Sequence, residues 1–427
     1  MSMSNNYFKS LPTDWKYKRI KYLCDINQDA LGADTNPTFE FDYVDIGSVE
    51  YNNGILEKTK MVFEDSPSRA RRKVKTGDVI VSTVRTYLKA ITPISEADKD
   101  IIVSTGFAVI HPQKIEKAYM AYLLTSKPFV ETIVSESVGV SYPAINPTKI
   151  ASIKIPLPEN NDRQIKIANF LDVKVERIHT QIKKIEKMIE LLKEKKEVLI
   201  IKAVTKGLNP DVSMKNSGID WIGQIPKHWE MRKISWLFNT IGSGSTPNTT
   251  NDEYYNGDIP WVITGDLNDG DLFSSSKSIT EEAIKNFSAI KLYSVNTLLI
   301  AMYGASIGKL ALTKFSTTTN QACCALTDPN NCDTKYFFFW FLGSRKHIIS
   351  LASGGGQPNI SQNIIKSIRL FVPGKNEQHK IVTYLETESK KIDSIIIKNQ
   401  ELIKKLTEYQ EVLITAAVTG KIDVRGE

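Results

Sequence analysis

Cysteine and histidine are scarce in this 427-residue chain, and their scarcity removes several classes of function. The four cysteines, Cys24, Cys323, Cys324 and Cys332, show no CxxC spacing, so neither a disulfide framework nor a zinc ribbon is expected. The five histidines, His111, His179, His228, His347 and His379, are scattered and form no nucleophile–base constellation. Long hydrophobic runs are missing too. The most apolar stretch, YFFFWFL at 336–342, falls far short of the ~20 residues of a spanning helix, and MSMSNNYFKS has no apolar signal core. A cytoplasmic protein with no membrane partner is expected.

Nucleotide-binding loops are absent as well. YGASIGKL (303–310) has three residues between Gly304 and Gly308 where a phosphate loop has four. Leu310 also stands where Ser or Thr would hold magnesium. GSGSTP (242–247) lacks the GxGxxG step, and INPTK (145–149) is not the NPPY-type loop of an adenine methyltransferase. No catalytic, cofactor or metal residue is therefore assigned, and the chain reads as a binder that directs another protein's chemistry. The alternatives are a methyltransferase or nuclease with an unrecognised active site, and a coiled-coil scaffold that binds only protein.

What is present is a duplication. QIKIANFLDVKVERIHTQIKKIEKMIELLKEKKEVLIIKAVTK (164–206) is echoed by QHKIVTYLETESKKIDSIIIKNQELIKKLTEYQEVLITAAVTG (378–420), 214 residues later. LPTDWKYKRIKYL from Leu11 and IPKHWEMRKISWL from Ile225 are related by the same offset. Solenoid repeats recur every ~20–50 residues, so this period means two similar globular domains, each followed by a long helix. The expected boundaries are 1–158 for domain one, 159–206 for its helix, 207–373 for domain two, and 374–427 for the second helix and tail.

The first helix carries apolar residues in alternating 4–3 spacing at 171, 175, 178, 182, 185, 189, 192, 199 and 203, interrupted by Lys196. That is a coiled-coil seam. The second helix repeats it with Ser389, Asn399 and Gln410 as polar positions. Each helix is expected to run about 40 residues, roughly 60 Å at the α-helical rise. Pro158 and Pro373 precede the helices, and Gly207 and Gly420 end them. Antiparallel pairing would return the C-terminus towards domain one and give pseudo-two-fold symmetry. The fold class is therefore α+β: two mixed α/β domains separated and followed by long helices in an antiparallel coiled coil.

Within the domains, FDYVDIGSVEYNNGIL (41–56) and DIPWVITGDLNDGDLF (258–273) look like equivalent strand–turn–strand units, with Gly47 and Gly265 at the same step. KTGDVIVSTVR (75–85) and YSVNTLLIAMY (293–303) read as a later buried strand in each. AYMAYLLTSKPFVETIVS (118–135) and TKYFFFWFLGSRKHIISLAS (334–353) read as amphipathic helices. The loops diverge between the copies, as suits two readers of different targets on one frame.

The net charge of +7 gives a weak lean towards a polyanion. Domain one has the densest basic cluster, SRARRKVK (68–75), from which Arg69, Arg71, Arg72 and Lys73 are candidate DNA contacts, together with Arg85, Tyr87 and Lys89. Arginine pairs with phosphates or with guanine edges. In domain two the candidates are Ser243, Ser245 and Thr246, then Tyr303, Ser306 and Lys309, then Asn320 and Gln321, and finally Gln357 and Asn359. Glycine there lets backbone approach closely, and Asn or Gln can read adenine. Each stretch also reads as a plain surface turn.

The paired openings, the junctions IKIPLPENNDRQIKIANFLD and IRLFVPGKNEQHKIVTYLE, and the helix endings EVLIIKAVTKGL and EVLITAAVTGKI together resemble the specificity subunits of type I restriction–modification systems, the HsdS family. PWVITGDL (260–267) and YGASIGK resemble that family's target recognition domains. The resemblance implies that each domain reads one half of a split double-stranded DNA target while the helices set the unread spacer and dock two methylation subunits. It also implies restriction/translocase subunits in the same assembly. S-adenosylmethionine would then belong to the methylation partner, and ATP and magnesium to the restriction partner.

Overall fold

The computed structural model describes residues 11–352 and 358–424, and among them no helix is long and apolar enough to cross a membrane. The chain forms two compact units. One runs up to Ile185 and resumes from Gln400; the other is Glu186–Asn399. Each long helix is thus divided between the two units.

In the first unit a four-stranded sheet has strand Phe107–Pro112 between Cys24–Ile26 and Val79–Ser82, with Ile91–Pro93 at the edge. A second sheet pairs Glu40–Val44 in parallel with Ile102–Ser104, flanked by Thr59–Val62 and Ala70–Lys73. The second unit repeats this plan. Cys323–Pro329 lies between Phe238–Ser243 and Leu298–Ala301, Leu310–Thr313 follows, and Gly270–Leu272 adds a fifth strand. Tyr255–Val262 pairs in parallel with Thr318–Thr319, as its counterpart does.

Val79–Ser82 and Leu298–Ala301 are buried along their whole length, as their uninterrupted apolar character predicts. The bridges set the register between the copies: Val84 matches Tyr303, because Val84 bridges Ala144 as Tyr303 bridges Asn359. The two strand–turn–strand units also diverge after their shared turn. Val49–Glu50 and Gly54–Ile55 close a small hairpin, whereas Gly270–Leu272 joins the main sheet.

Each expected amphipathic helix is two short ones. Lys117–Thr125 and Lys127–Ser135 break at Ser126, whose extended backbone caps the helix carrying Pro128 in its first turn. Thr334–Gly343 and Arg345–Ser350 break at Ser344. The Tyr336–Phe341 run is buried on every side, not on one face, which its hydrophobic density dictates.

The long helices span Asn161–Lys206 and Lys375–Val418, 46 and 44 residues. Every expected seam position is buried or half-buried. In the first unit Leu171, Val175 and Ile178 share a core with Leu413, Ile414 and Ala417. In the second, Ile200, Ala203 and Val204 share one with Ile381, Val382 and Leu385. Within each unit the start of one helix therefore packs against the end of the other, which is antiparallel. Gly207 and Gly420 end the helices in left-handed conformation, φ 72° and 73°.

The repeated junction has a physical cause. Gln164 accepts from Glu116 N–H (2.9 Å) and donates to Pro158 O (3.4 Å); Gln378 accepts from Asp333 N–H (2.8 Å) and donates to Pro373 O (2.9 Å). Tyr119 donates to Val418 O (3.1 Å), and Tyr336 to Val204 O (3.2 Å), so each domain holds the helix end that reaches it.

Candidate nucleic-acid interface

Both units build the same loop cluster beyond the buried strand. In domain one the chain leaves Ser82, passes through Arg85 and Lys89 in left-handed conformation (φ 51° and 53°), and returns at Ala90, whose carbonyl accepts from Ser82 N–H at 2.9 Å. In domain two it leaves Ala301, passes through Gly304 and Gly308 (φ 78° and 76°), and returns at Lys309, which accepts from Ala301 N–H at 2.9 Å. Two more segments tie in identically. Thr83 N–H donates to Gly106 O as Met302 N–H does to Ala322 O, and Ile145 N–H donates to Thr83 O as Ile360 N–H does to Met302 O, all at 2.8 Å.

The left-handed region is ordinary for glycine and disfavoured for arginine and lysine. Domain one thus carries strained, charged residues where domain two carries glycine. Such strain is a mark of functional loops. Arg85 stacks on Tyr142 (5.2 Å to the ring centre) and Lys89 on Tyr51 (5.7 Å), and both cations are exposed.

Arg69 comes to the same place. It donates to Tyr43 Oη at 3.3 Å and pairs with Asp45 at 2.9 Å, and that hydrogen bond and then the Asp45 charge hold its guanidinium above its usual pKa. Arg69 and Arg85 line one cleft of about 440 Å³ with Asp45, Gly47 and Gly106. Gly106 keeps the wall of that cleft thin, since a Cβ there would lie 2.6 Å from Ile46 Cδ1 and push that side chain aside.

The rest of the basic cluster goes elsewhere. Arg71 donates to Ser66 Oγ (3.1 Å), Pro67 O (3.2 Å) and Ala70 O (2.7 Å) and stacks on Phe63, so its guanidinium holds the fold rather than facing a ligand. Arg72 is half-buried in a strand, which pushes its pKa down. Lys73 is exposed but lines a different cleft, with Asp29 and Lys75. Alternation alone would keep Arg69, Arg71 and Lys73 on one face; the register shift between Val103 (opposite Arg72) and Ser104 (opposite Ala70) interrupts it at Arg71, a feature that charge density along the sequence does not display. Tyr87 is exposed beside Arg85.

In domain two, Lys309, Gln321 and Asn359 are exposed. Thr246 donates to Gln321 Oε1, which orders that amide. Asn320 is spent on the backbone, accepting from Ala322 N–H at 3.1 Å. Ser243 lies in a strand opposite Cys324; the Ser245 carbonyl accepts from Trp261 Nε1 (3.2 Å), and Ser306 O accepts from Lys309 N–H (2.9 Å). These serines and Tyr303 are half-buried. Gly244 N–H donates to Thr319 Oγ1 at 3.0 Å, and a Cβ on Gly244 would overlap Thr319 O. Gln357 lies outside the described residues.

Sequence reasoning missed Asp45 and the hairpin at 138–144, whose Val138, Val140 and Tyr142 are all exposed. The signal available was VGVSYP (138–143), apolar residues at every second position ahead of a proline. Among the described residues no group of three or more His, Cys, Asp or Glu side chains could hold a metal ion.

Comparison with known proteins follows the same duplication. The family model described as "Type I restriction modification DNA specificity domain" matches twice, at residues 12–190 and 226–405. The HindI specificity subunit of Haemophilus influenzae is 22% identical, over 89% of this chain and 94% of that one. The putative MjaX specificity subunit of Methanocaldococcus jannaschii is 23% identical, over 97% and 95%. The MjaIX specificity subunit of the same organism is 30% identical over 43% of each chain. Among solved structures, a chain from work on complex assembly and conformational transition of the type I R-M system shares the fold, with TM-score 0.74 at 21% identity over 97% of this chain and 100% of that one. The HsdS subunit from Thermoanaerobacter tengcongensis shares it with TM-score 0.56 at 20% identity, over 97% and 98%.

Proposed function

The chain belongs to the type I restriction modification DNA specificity family, and from that membership we propose that each of its domains reads one half of a split DNA target for partner subunits that carry the chemistry. The duplicated loop cluster carries this reading. One backbone construction, made twice, presents Arg69, Arg85 and Lys89 in one copy and Lys309, Gln321 and Asn359 in the other. That is what two different half-sites on one frame require.

Exposed lysine and arginine supply salt-dependent phosphate contacts, and the loop side chains read base edges. An adenine inside a duplex is out of reach of a methyl donor, so a methylation subunit flips it out, and this chain's task is to choose which adenine. The exposed faces of the long helices are the surfaces on which two methylation subunits dock. S-adenosylmethionine is theirs, and ATP and magnesium belong to the restriction subunits.

The test is co-expression with the cognate methylation subunit in a methylation-free host, followed by mapping of N6-methyladenine. A new split motif with a fixed gap is expected. A soluble, co-purifying complex that leaves no motif would favour the scaffold reading, and DNA modified by the purified chain alone would favour the enzyme reading.

A further inference from the structure

Three apolar side chains stand exposed on one hairpin tip of domain one. Val138 is 81% exposed, Val140 102% and Tyr142 67%. A folded domain has no internal reason to display alternate apolar residues this way, and the display is built rather than loose. Val138 N–H donates to Ala144 O (2.8 Å) and Ala144 N–H to Val138 O (3.0 Å), closing the hairpin. Thr86 Oγ1 donates to Ser137 Oγ (2.8 Å), and Ala144 bridges Val84, fixing the hairpin to the strained loop that carries Arg85. Gly139 adopts φ 118°, and a Cβ there would lie 3.2 Å from Tyr142 O, so the turn needs glycine.

The charge around the tip selects its occupant. Arg85 lies over the Tyr142 ring. Glu136, the one carboxylate in segment 136–144, is neutralised by Lys149 at 2.9 Å. An apolar tip with an exposed guanidinium beside it and its one carboxylate already paired fits a polyanion that offers methyl groups. In unmodified duplex DNA the one methyl group on a base edge is the 5-methyl of thymine, in the major groove.

We propose that the 138–144 hairpin is a base-reading element of domain one, with Val138 and Val140 packed against the 5-methyl group of a thymine. This rests on the reading of domain one as a DNA reader. The complex of this chain with its methylation subunit is used, and its motif is first established by N6-methyladenine mapping. Each thymine of the domain-one half is then replaced in turn by uracil, which lacks only that methyl, and binding is measured.

Wild type should lose about three- to fivefold at one position, the scale of one buried methyl group. The V138S/V140S variant should bind thymine and uracil duplexes equally at that position, while thymines of the other half serve as controls. The proposal is overturned if no uracil substitution weakens wild type, if the variant keeps the wild-type preference, or if the half contains no thymine. It is also overturned if the variant stops co-purifying with the methylation subunit, which would make the tip a protein contact. A wild-type complex that methylates no motif would instead defeat the underlying reading of the domain.

Discussion

Gln164 and Gln378 show how one side chain can account for a repeat. Each is buried at the first turn of its helix and closes a backbone N–H and a proline carbonyl that would otherwise stay unpaired. Replacing either by alanine should cost about 1–3 kcal/mol, the cost of an unsatisfied buried group, read as a lowered urea midpoint. Arg85 presents the opposite case. Its left-handed backbone disfavours any L side chain, so Arg85→Gly should leave stability unchanged or raise it by up to about 1 kcal/mol while weakening DNA binding. A variant that binds as well as wild type would remove Arg85 from the interface. His347, stacked on Trp221 at 5.0 Å, has its pKa pushed below 6.5 by burial. The folded state thus favours neutral imidazole, and this contribution is complete above 6.5 and lost as the pH falls below it. The melting temperature should drop between about pH 7.5 and 5.5 more in wild type than in H347F.

At the scale of elements, the long helices were the most legible feature, because a 4–3 apolar period leaves one face to bury. The polar seam positions divide in role. Lys196 donates to both carboxylate oxygens of Asp393 at 2.7 Å, across the helix pair of the second unit. Asn399 has a buried amide nitrogen with no partner. N399L should therefore raise stability by about 1–2 kcal/mol in urea denaturation. K196L should change it little, since a half-exposed ion pair contributes only about 0–1 kcal/mol. The short helices were less legible. A single run of apolar residues does not disclose a break such as Ser126 or Ser344, which depends on how the next segment must turn to pack.

For the whole molecule, the compact units cut both long helices, at Ile185/Glu186 and Asn399/Gln400. Each domain folds against the start of one helix and the end of the other. An exchange of domain two should therefore keep Gln378, Val204 and their neighbours and replace only the chain between the helices. Such an exchange with a relative's domain is expected to alter one half of the methylated motif and leave the other half and the gap intact. Methylome mapping of the chimaera is the check, and a change in both halves would defeat modular reading.

The sequence by itself determined the duplication, the helices and their seam, the glycine terminators and the family. These are properties of periodicity and of repeated text, which local chemistry writes directly into residue order. Only the tertiary structure decided which candidate residues meet. Arg69 and Arg85 reach one cleft from separate segments, while Arg71, two residues from Arg69, turns inward to Ser66 and Pro67. It also decided that Arg85 corresponds to Gly304, because strand pairing rather than residue similarity sets register. Convergence of loops follows from sheet pairing between residues far apart in the chain, and no local pattern carries that information.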